Sequence, residues 1–405
     1  MQNTLKKRNL MLALGVVSML FAGIIYAWSV IKSPFVNEFK WTSDSLTLNY
    51  TLTMCAFCLG GLLGSFLSKR IGVKLATIIS GVVAGCGFIL TSLLSADQLP
   101  LLYLTYALMA GGGIGVVYNV VISSVNAWFP DKKGFSSGCL MMGFGLSALL
   151  LGNLSATLFD IESIGWRGAY VLIGIALGAT LVITGLILNR PGEGDILPKS
   201  ETKSSASEDF DRRDYTPREM LSRFSFWRAF LLLICLTAVG SSVISFAKDL
   251  ALSVGAEANL ATTLVGVLSV CNGLGRIITG KAFDLIGRRN TMIAANIITI
   301  FAAGVTLLAV NLNSLPLCII GLCLTGMSYG ASPTVSSAFT SSFYGQKYFP
   351  SNFSIMNFNL MAASFVATAC STLYSSMNNS FTAPFILLLA LSVVALALNI
   401  SIKKP

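Results

Sequence analysis

The sequence predicts an all-α membrane protein, with twelve transmembrane helices in two pseudo-symmetric six-helix bundles, on three observations. First, 54% of the 405 residues are hydrophobic and only 11% are charged, against about 25% charged in an ordinary soluble domain. Second, apolar runs about 20 residues long recur along the whole chain, each enough for a helix to cross about 30 Å of hydrocarbon. Third, the two halves repeat motifs at an offset of about 215 residues, the kind of duplication from which transporter folds are built.

The runs fall at 10–31, 46–68, 75–95, 99–129, 135–158, 167–189, 227–253, 259–282, 290–311, 314–343, 351–375 and 380–402. The first is too long, and followed by too many others, for a cleaved secretory signal, so a retained first helix is expected. Cys55, Cys58, Cys86, Cys139, Cys235 and Cys370 sit inside such runs without metal-site flanks and read as small packing residues. Cys55 and Cys58 spell C-x-x-C, but no βαβ pattern surrounds them, which argues against a redox role. Neither a cofactor nor a metal is expected.

The formal charge of +10 raises nucleic acid as a partner, and its distribution points instead to a lipid bilayer. With the N-terminus in the cytoplasm, Lys6, Lys7, Arg8, Lys69, Arg70, Lys74, Lys132, Lys133, Arg288, Arg289, Lys347, Lys403 and Lys404 collect on that side. The opposite loops hold only Lys32, Lys40, Arg167 and Lys248. This is the positive-inside asymmetry. It predicts a multi-pass protein of a bacterial plasma (inner) membrane with both termini cytoplasmic, and a monomer is the expected state.

The expected organisation is an N-terminal bundle over 1–189, a cytoplasmic linker over 190–226 and a C-terminal bundle over 227–405. The linker is rich in Ser, Glu, Asp and Arg, a composition that favours disorder. Within it, Thr216-Pro217-Arg218-Glu219 reads as a capping box with proline at the first helical position, which predicts a short helix running toward Trp227.

The repeat rests on several anchors. Ser65-x-x-x-Lys69-Arg70-x-Gly72-x-Lys74 follows the second run, and Gly280-x-x-x-Asp284-x-x-Gly287-Arg288-Arg289 follows the eighth. In the same register Gly111 matches Gly326, Trp128 matches Phe343 and Lys132 matches Lys347. Glycine admits close helix contact, the acid sits near a helix end, and the basic residues stay at the interface. Asp284 and Arg288 are therefore candidate gating residues. Here the sequence resembles the major facilitator superfamily, and the resemblance covers essentially the whole chain. It implies two six-helix bundles flanking a central cavity. The first copy departs from the family pattern, with Ser65 where glycine is usual and Lys69 where aspartate is usual.

Of 27 basic residues, only Arg276 lies deep within a run. It precedes Asp284 by about two helical turns, or about 12 Å, which places it near mid-bilayer. A charge there costs at least about 2.5 kcal/mol on insertion scales, and it normally faces a cavity or a partner. No nearby acid in the sequence pairs with it, so an anionic substrate is the natural partner, and guanidinium matches a carboxylate with two parallel donors. The structural alternative is that Arg276 binds backbone carbonyls or a distant acid such as Asp249 and only holds helices together. Asn272, one turn earlier, shares its face and is either a second ligand contact or interhelical glue. Tyr118, Tyr329 and Tyr26, about 18, 21 and 24 Å along their runs, have the depth to line a cavity or simply to pack.

The blocks Tyr26-Ala27-Trp28-Ser29, Gly113-Ile114-Gly115-Val116-Val117-Tyr118, Trp128-Phe129-Pro130-Asp131-Lys132-Lys133-Gly134 and Asn272-Gly273-Leu274-Gly275-Arg276 resemble the oxalate:formate antiporter family and its bacterial monocarboxylate transporter relatives. The resemblance implies that Arg276, Asn272 and Tyr118 contact a carboxylate, with Tyr26 and Tyr329 lining its cage. Oxalate carriers add a basic residue on the eleventh helix. Here Asn357-Phe358-Asn359-Leu360-Met361 has no lysine, which favours a monocarboxylate such as lactate, pyruvate or formate. The expected function is secondary active transport by alternating access. The alternatives are an oxalate/formate exchanger, a multidrug exporter or a non-transporting sensor.

A membrane enzyme lacks its nucleophile, metal cluster or paired carboxylates. The chain has no histidine, so Asp249, beside Lys248, is the candidate for proton coupling or gating, against the alternative of a solvated pair at the rim.

Overall fold

A computed structural model describes residues 2–192, 213–378 and 380–402. The middle of the expected linker, 193–212, and the terminal lysines Lys403 and Lys404 lie outside the described residues. Among the described residues, eleven helices are long and apolar enough to cross a membrane. In chain order they are α1 (Thr4–Ala27), α2 (Leu48–Arg70), α3 (Gly72–Thr91), α4 (Leu99–Ala127), α5 (Lys133–Phe159), α6 (Gly165–Ile187), α7 (Phe224–Ser253), Asn259–Asn311, α10 (Leu315–Tyr344), α11 (Phe349–Ser376) and α12 (Thr382–Ser401).

The stretch Asn259–Asn311 is 53 residues long, about 80 Å of helix, which far exceeds one hydrocarbon core. It breaks at Gly287, whose φ is 77°, a conformation open to glycine and costly for other residues. The break divides it into α8 (259–286) and α9 (288–311). Gly72, its repeat partner, has φ 83° in the turn between α2 and α3. Counted this way, the described chain has twelve membrane-length helices.

The duplication is visible in the packing. A Cβ built on Gly115 of α4 would stand 2.1 Å from the carbonyl oxygen of Phe57 on α2, and one on Gly330 of α10 would stand 2.2 Å from that of Asn272 on α8. Gly60 meets Gly112 as Gly275 meets Met327. Each pair is displaced from its counterpart by the same offset of about 215 residues that relates the sequence motifs. The glycines therefore let α2 pack on α4, and α8 on α10, backbone to backbone.

By contact the described residues form two compact units, 2–131 with 143–192 and 353–355, and 132–142 with 213–352 and 356–402. In the first, Trp28, Phe35, Phe88, Tyr106 and Tyr170 form a buried aromatic core, and Arg8 pairs with Asp131 while lying over the Phe129 ring. In the second, Val239, Val243, Leu250, Leu264, Phe381 and Phe385 are among the core residues. Large apolar side chains such as Leu63, Leu108, Ile175, Phe301 and Val393 remain exposed, as expected where hydrocarbon is the solvent.

Several helices are locally irregular. α1 ends in a 3-10 turn, Gly23–Ala27, and α4 contains a π-helical stretch, Tyr103–Gly111. α7 bends at Phe246, and Pro333 lies inside α10, where it cannot donate a main-chain hydrogen bond. α11 is interrupted at Asn357. After the segment that is not described, Thr216 caps the short helix Pro217–Leu221 in the reciprocal capping box that the sequence predicts.

Candidate functional site

In the second unit, α8 presents Asn272 and Arg276 on one face, because four residues make about one turn. Both are buried, and Arg276 is only 2% exposed. Its Nε donates to Asn272 Oδ1 at 3.1 Å, and its Nη1 donates to the main-chain carbonyl of Met141. The hydroxyl of Thr334 on α10 donates to the Arg276 carbonyl at 3.4 Å. These two acceptors of the guanidinium are neutral, and no carboxylate pairs with Arg276 among the described residues. Burying a cation on neutral acceptors alone leaves much of its desolvation cost uncompensated.

Tyr329, on α10, packs its ring against Gly240 of α7, where a Cβ would stand 2.2 Å from the ring. The next residue, Gly330, lies against the Asn272 carbonyl, so Tyr329 is beside the Arg276–Asn272 pair in the same unit. Nearby, Thr237 of α7 shares hydrogen bonds with Ser332 of α10 at 2.5 Å and with Asn359 Oδ1 of α11 at 3.1 Å.

Tyr118 and Tyr26 belong to the first unit, where both reach Phe144 of α5. Tyr118 meets it at 5.1 Å between centroids and Tyr26 at 5.0 Å, each edge to face. Phe57 lies 4.9 Å from Tyr118, and Phe353 stacks on Tyr118 at 6.1 Å. The sequence singled out the two tyrosines and missed the phenylalanines that join them. The repeat held a signal for both Phe57 and Phe144, which occupy the register positions of Asn272 and Asn359.

Of the gating candidates, Asp284 lies at the end of α8 and Arg288 at the start of α9. Asp284 accepts the main-chain N–H of Gly134 at 2.9 Å and of Phe135 at 2.7 Å. A carboxylate placed there satisfies donors that the first turn of a helix leaves unpaired, and it meets the positive end of the helix dipole. Gly280 and Gly134 lie against each other's carbonyls, and Gly138 lies against that of Arg276. Arg288 sits with its guanidinium 4.3 Å from the Phe343 centroid. Lys248 and Asp249 are exposed near the end of α7, with no ion pair among the described residues.

Two repeated helical units of membrane-crossing length, with a buried arginine in one of them, define a polytopic membrane carrier. The sequence profile of the Major Facilitator Superfamily matches residues 10–367 and 229–404, and the chain belongs to that superfamily of transporters. It is 25% identical over 295 residues to the uncharacterized MFS-type transporter YhjX of Escherichia coli, a match covering 73% of this chain and 70% of that protein. It is 25% identical over 280 residues to the oxalate:formate antiporter of Oxalobacter formigenes, covering 67% of this chain and 62% of the antiporter. Human monocarboxylate transporter 11 is 32% identical over 157 residues, 38% of this chain and 32% of that protein. Among solved structures, the proton:xylose symporter XylE superposes with a TM-score of 0.73 at 14% identity, covering 100% of this chain and 97% of that chain, which shows the shared fold.

Proposed function

We propose that this transporter carries a small monocarboxylate of the lactate, pyruvate or formate type by alternating access. The observation that supports it is Arg276, buried in a membrane-length helix and held only by neutral acceptors among the described residues. A substrate carboxylate would supply the missing negative charge and take parallel hydrogen bonds from the guanidinium fork. Asn272 would hold the fork in position through Nε. Tyr118 would also contact the carboxylate, Tyr26 and Tyr329 would line its cage, and Asp249 would be the proton-coupling group. The absence of lysine from 357–361 leaves a second carboxylate without a counter-charge, which favours monocarboxylates over oxalate. A monomer in a bacterial inner membrane, with both termini cytoplasmic, completes the reading.

The test is uptake of radiolabelled lactate, pyruvate, formate and oxalate into proteoliposomes, for the parent and Arg276→Lys, with and without a proton gradient. Lysine keeps the charge and loses the fork. Monocarboxylate uptake that collapses in a folded variant supports the proposal, and its gradient dependence assigns symport or exchange. Uptake of none of the four, or an unimpaired variant, makes Arg276 structural and removes the substrate assignment. Binding without flux marks a sensor.

A further inference from the structure

Beyond its 3-10 turn, α1 continues into a tip of two short helices, Trp28–Ile31 and Ser33–Asn37, separated at Lys32. The turn itself is fixed, because a Cβ on Gly23 would stand 2.2 Å from the carbonyl oxygen of Phe144 on α5. The tip is tied separately, to α6 and to the turn between α3 and α4. Tyr170 donates its hydroxyl to the Ile31 carbonyl at 2.7 Å, and Trp41 Nε1 donates to the Ala96 carbonyl at 2.8 Å. Glu38 accepts from Trp166 Nε1, and its Oε1 lies 3.7 Å from Arg167 Nη2. Arg167 Nη1 donates in turn to the carbonyls of Ser92 at 2.6 Å and Leu94 at 2.9 Å, where a cation suits the C-terminal end of a helix.

The charged tie is open to solvent, and the floor beneath the tip is poorly satisfied. The side chains of Arg167 and Glu38 are 45% and 50% exposed, and an ion pair so open holds only weakly. Trp28 of the tip lies 4.6 Å, ring to ring, from Tyr106 of α4, and its Nε1 donates to the Leu46 carbonyl at 3.0 Å. Tyr106 is fully buried, and its hydroxyl bonds no group among the described residues. Asn49, one turn along from Leu46, is also fully buried, with neither amide atom bonded among them. Buried donors and acceptors without partners favour a rearrangement that exposes them. The repeat copies the bend of the tip and omits its charges. Phe246, where α7 is non-helical, is the register partner of Ile31, whereas the partners of Glu38, Trp166 and Arg167 are Ser253, Phe381 and Thr382.

We propose that Glu38 and Arg167 form a releasable latch, with the tip 28–38 as a lid over the Tyr106 hydroxyl and the Asn49 amide, and with the Gly23–Ala27 turn as its hinge. The two buried polar groups favour the open lid, because water reaches them there. The latch holds the lid shut, helped by Phe35 of the tip, which stacks on Trp41 and meets Trp166 edge to face, each at 5.4 Å. Opposed contributions of this kind make a two-state element, which a tip held by packing alone is not. Tyr26 lies in the hinge, so the lid and that ring move together. The inference concerns the first unit alone and does not depend on which substrate is carried.

The test is hydrogen exchange by mass spectrometry on the full-length protein in nanodiscs, read over 28–41, for the parent, Glu38→Gln, Tyr106→Phe and the double variant Glu38→Gln/Tyr106→Phe. Glu38 is exposed and phenylalanine removes only an oxygen, so the variants should fold, which size-exclusion chromatography checks. Glu38→Gln is expected to speed exchange of the tip about three-fold. Salt at about 1 M, which screens an open ion pair, should do the same in the parent and add nothing in Glu38→Gln. Tyr106→Phe should slow exchange about five-fold, and the double variant should fall between the two. Exchange unmoved by Glu38→Gln or by salt removes the latch, and a Tyr106→Phe tip that exchanges as fast as the parent or faster is merely packed. Either result overturns the proposal. The salt arm uses the parent, so it decides on the latch even if Glu38→Gln does not fold. Because no substrate enters this experiment, its failure is separate from failure of the monocarboxylate reading.

Discussion

Arg276 and Asn272, one turn apart on α8, are joined by a 3.1 Å hydrogen bond from Nε to Oδ1. A neutral amide orients the guanidinium and leaves its charge intact. Asn272→Asp would orient it equally well and cancel that charge. The expected outcome is a loss of carboxylate affinity of about ten-fold or more, the scale of a hydrogen bond to a charged group, with thermal stability unchanged or raised. Scintillation proximity binding together with a melting curve measures both. Unaltered affinity would remove Arg276 from the binding role.

Gly280 and Asp284 hold the first turn of α5 by different means, and their variants should separate. Asp284→Asn keeps the shape and loses the charge, with an expected cost of about 1 kcal/mol. Gly280→Leu forces a side chain into a backbone contact where even a Cβ would stand 2.2 Å from the Gly134 carbonyl oxygen, with an expected cost of about 1–3 kcal/mol. Thermal unfolding in one detergent ranks the two. A Gly280→Leu variant as stable as the parent would show that the contact is not maintained.

Phe144 is buried and joins Tyr26, Phe57 and Tyr118. Phe144→Ala should destabilise the first unit by about 3 kcal/mol, and Phe144→Leu should recover part of that. If the tyrosines contact substrate, the alanine variant also raises KM more than it lowers kcat, because two tyrosines lose a common support. Uptake kinetics on the folded fraction distinguish the two effects.

Gly240 is the floor on which the Tyr329 ring rests. Gly240→Ala should impair transport by displacing that ring. Combining it with Tyr329→Ala should show a non-additive, partly suppressed defect, since the clash is then absent. Strict additivity in the double-variant cycle would mean that the two residues act separately.

Glu219 caps the short helix before α7. The Thr216 amide, then the Thr216 hydroxyl and Arg213, hold its carboxyl below the ordinary glutamate value. A folded-state pKa below the unfolded value means that the contribution to stability is complete above about pH 4.3 and is lost as pH falls through the lowered value. The carbon-13 shift of the Glu219 carboxyl, followed in Thr216→Val as well, should show a midpoint that rises when the cap is removed. An unshifted midpoint in the parent would mean that the capping box does not persist in solution.

Particular residues show how far the chain could be read in advance. The run lengths and the Gly287 motif placed the helices and the break between α8 and α9. The spacing of four between Asn272 and Arg276 placed them on one face, where they are hydrogen bonded. The carbonyl of Met141 as a partner of Arg276 could not be read, because every residue carries a carbonyl and only folding decides which one meets a guanidinium. The same holds for Glu38. Its proximity to Arg167 spans more than a hundred residues of chain and has no local pattern. The π-helical stretch of α4 and the 3-10 end of α1 also escaped, since hydrophobic periodicity reports which faces are apolar and is blind to a one-residue change in hydrogen-bond register.

The sequence by itself determined the solvent, the number of membrane-length helices, the duplication and the presence of one deep cation, because these follow from composition, run length and spacing along a helix. Tertiary structure alone decided what that cation touches, which rings gather around Phe144, and that Asp284 caps the first turn of α5. Those contacts join residues distant in the chain, and their geometry is set by how closely glycine-lined helices approach, a distance that linear spacing does not contain.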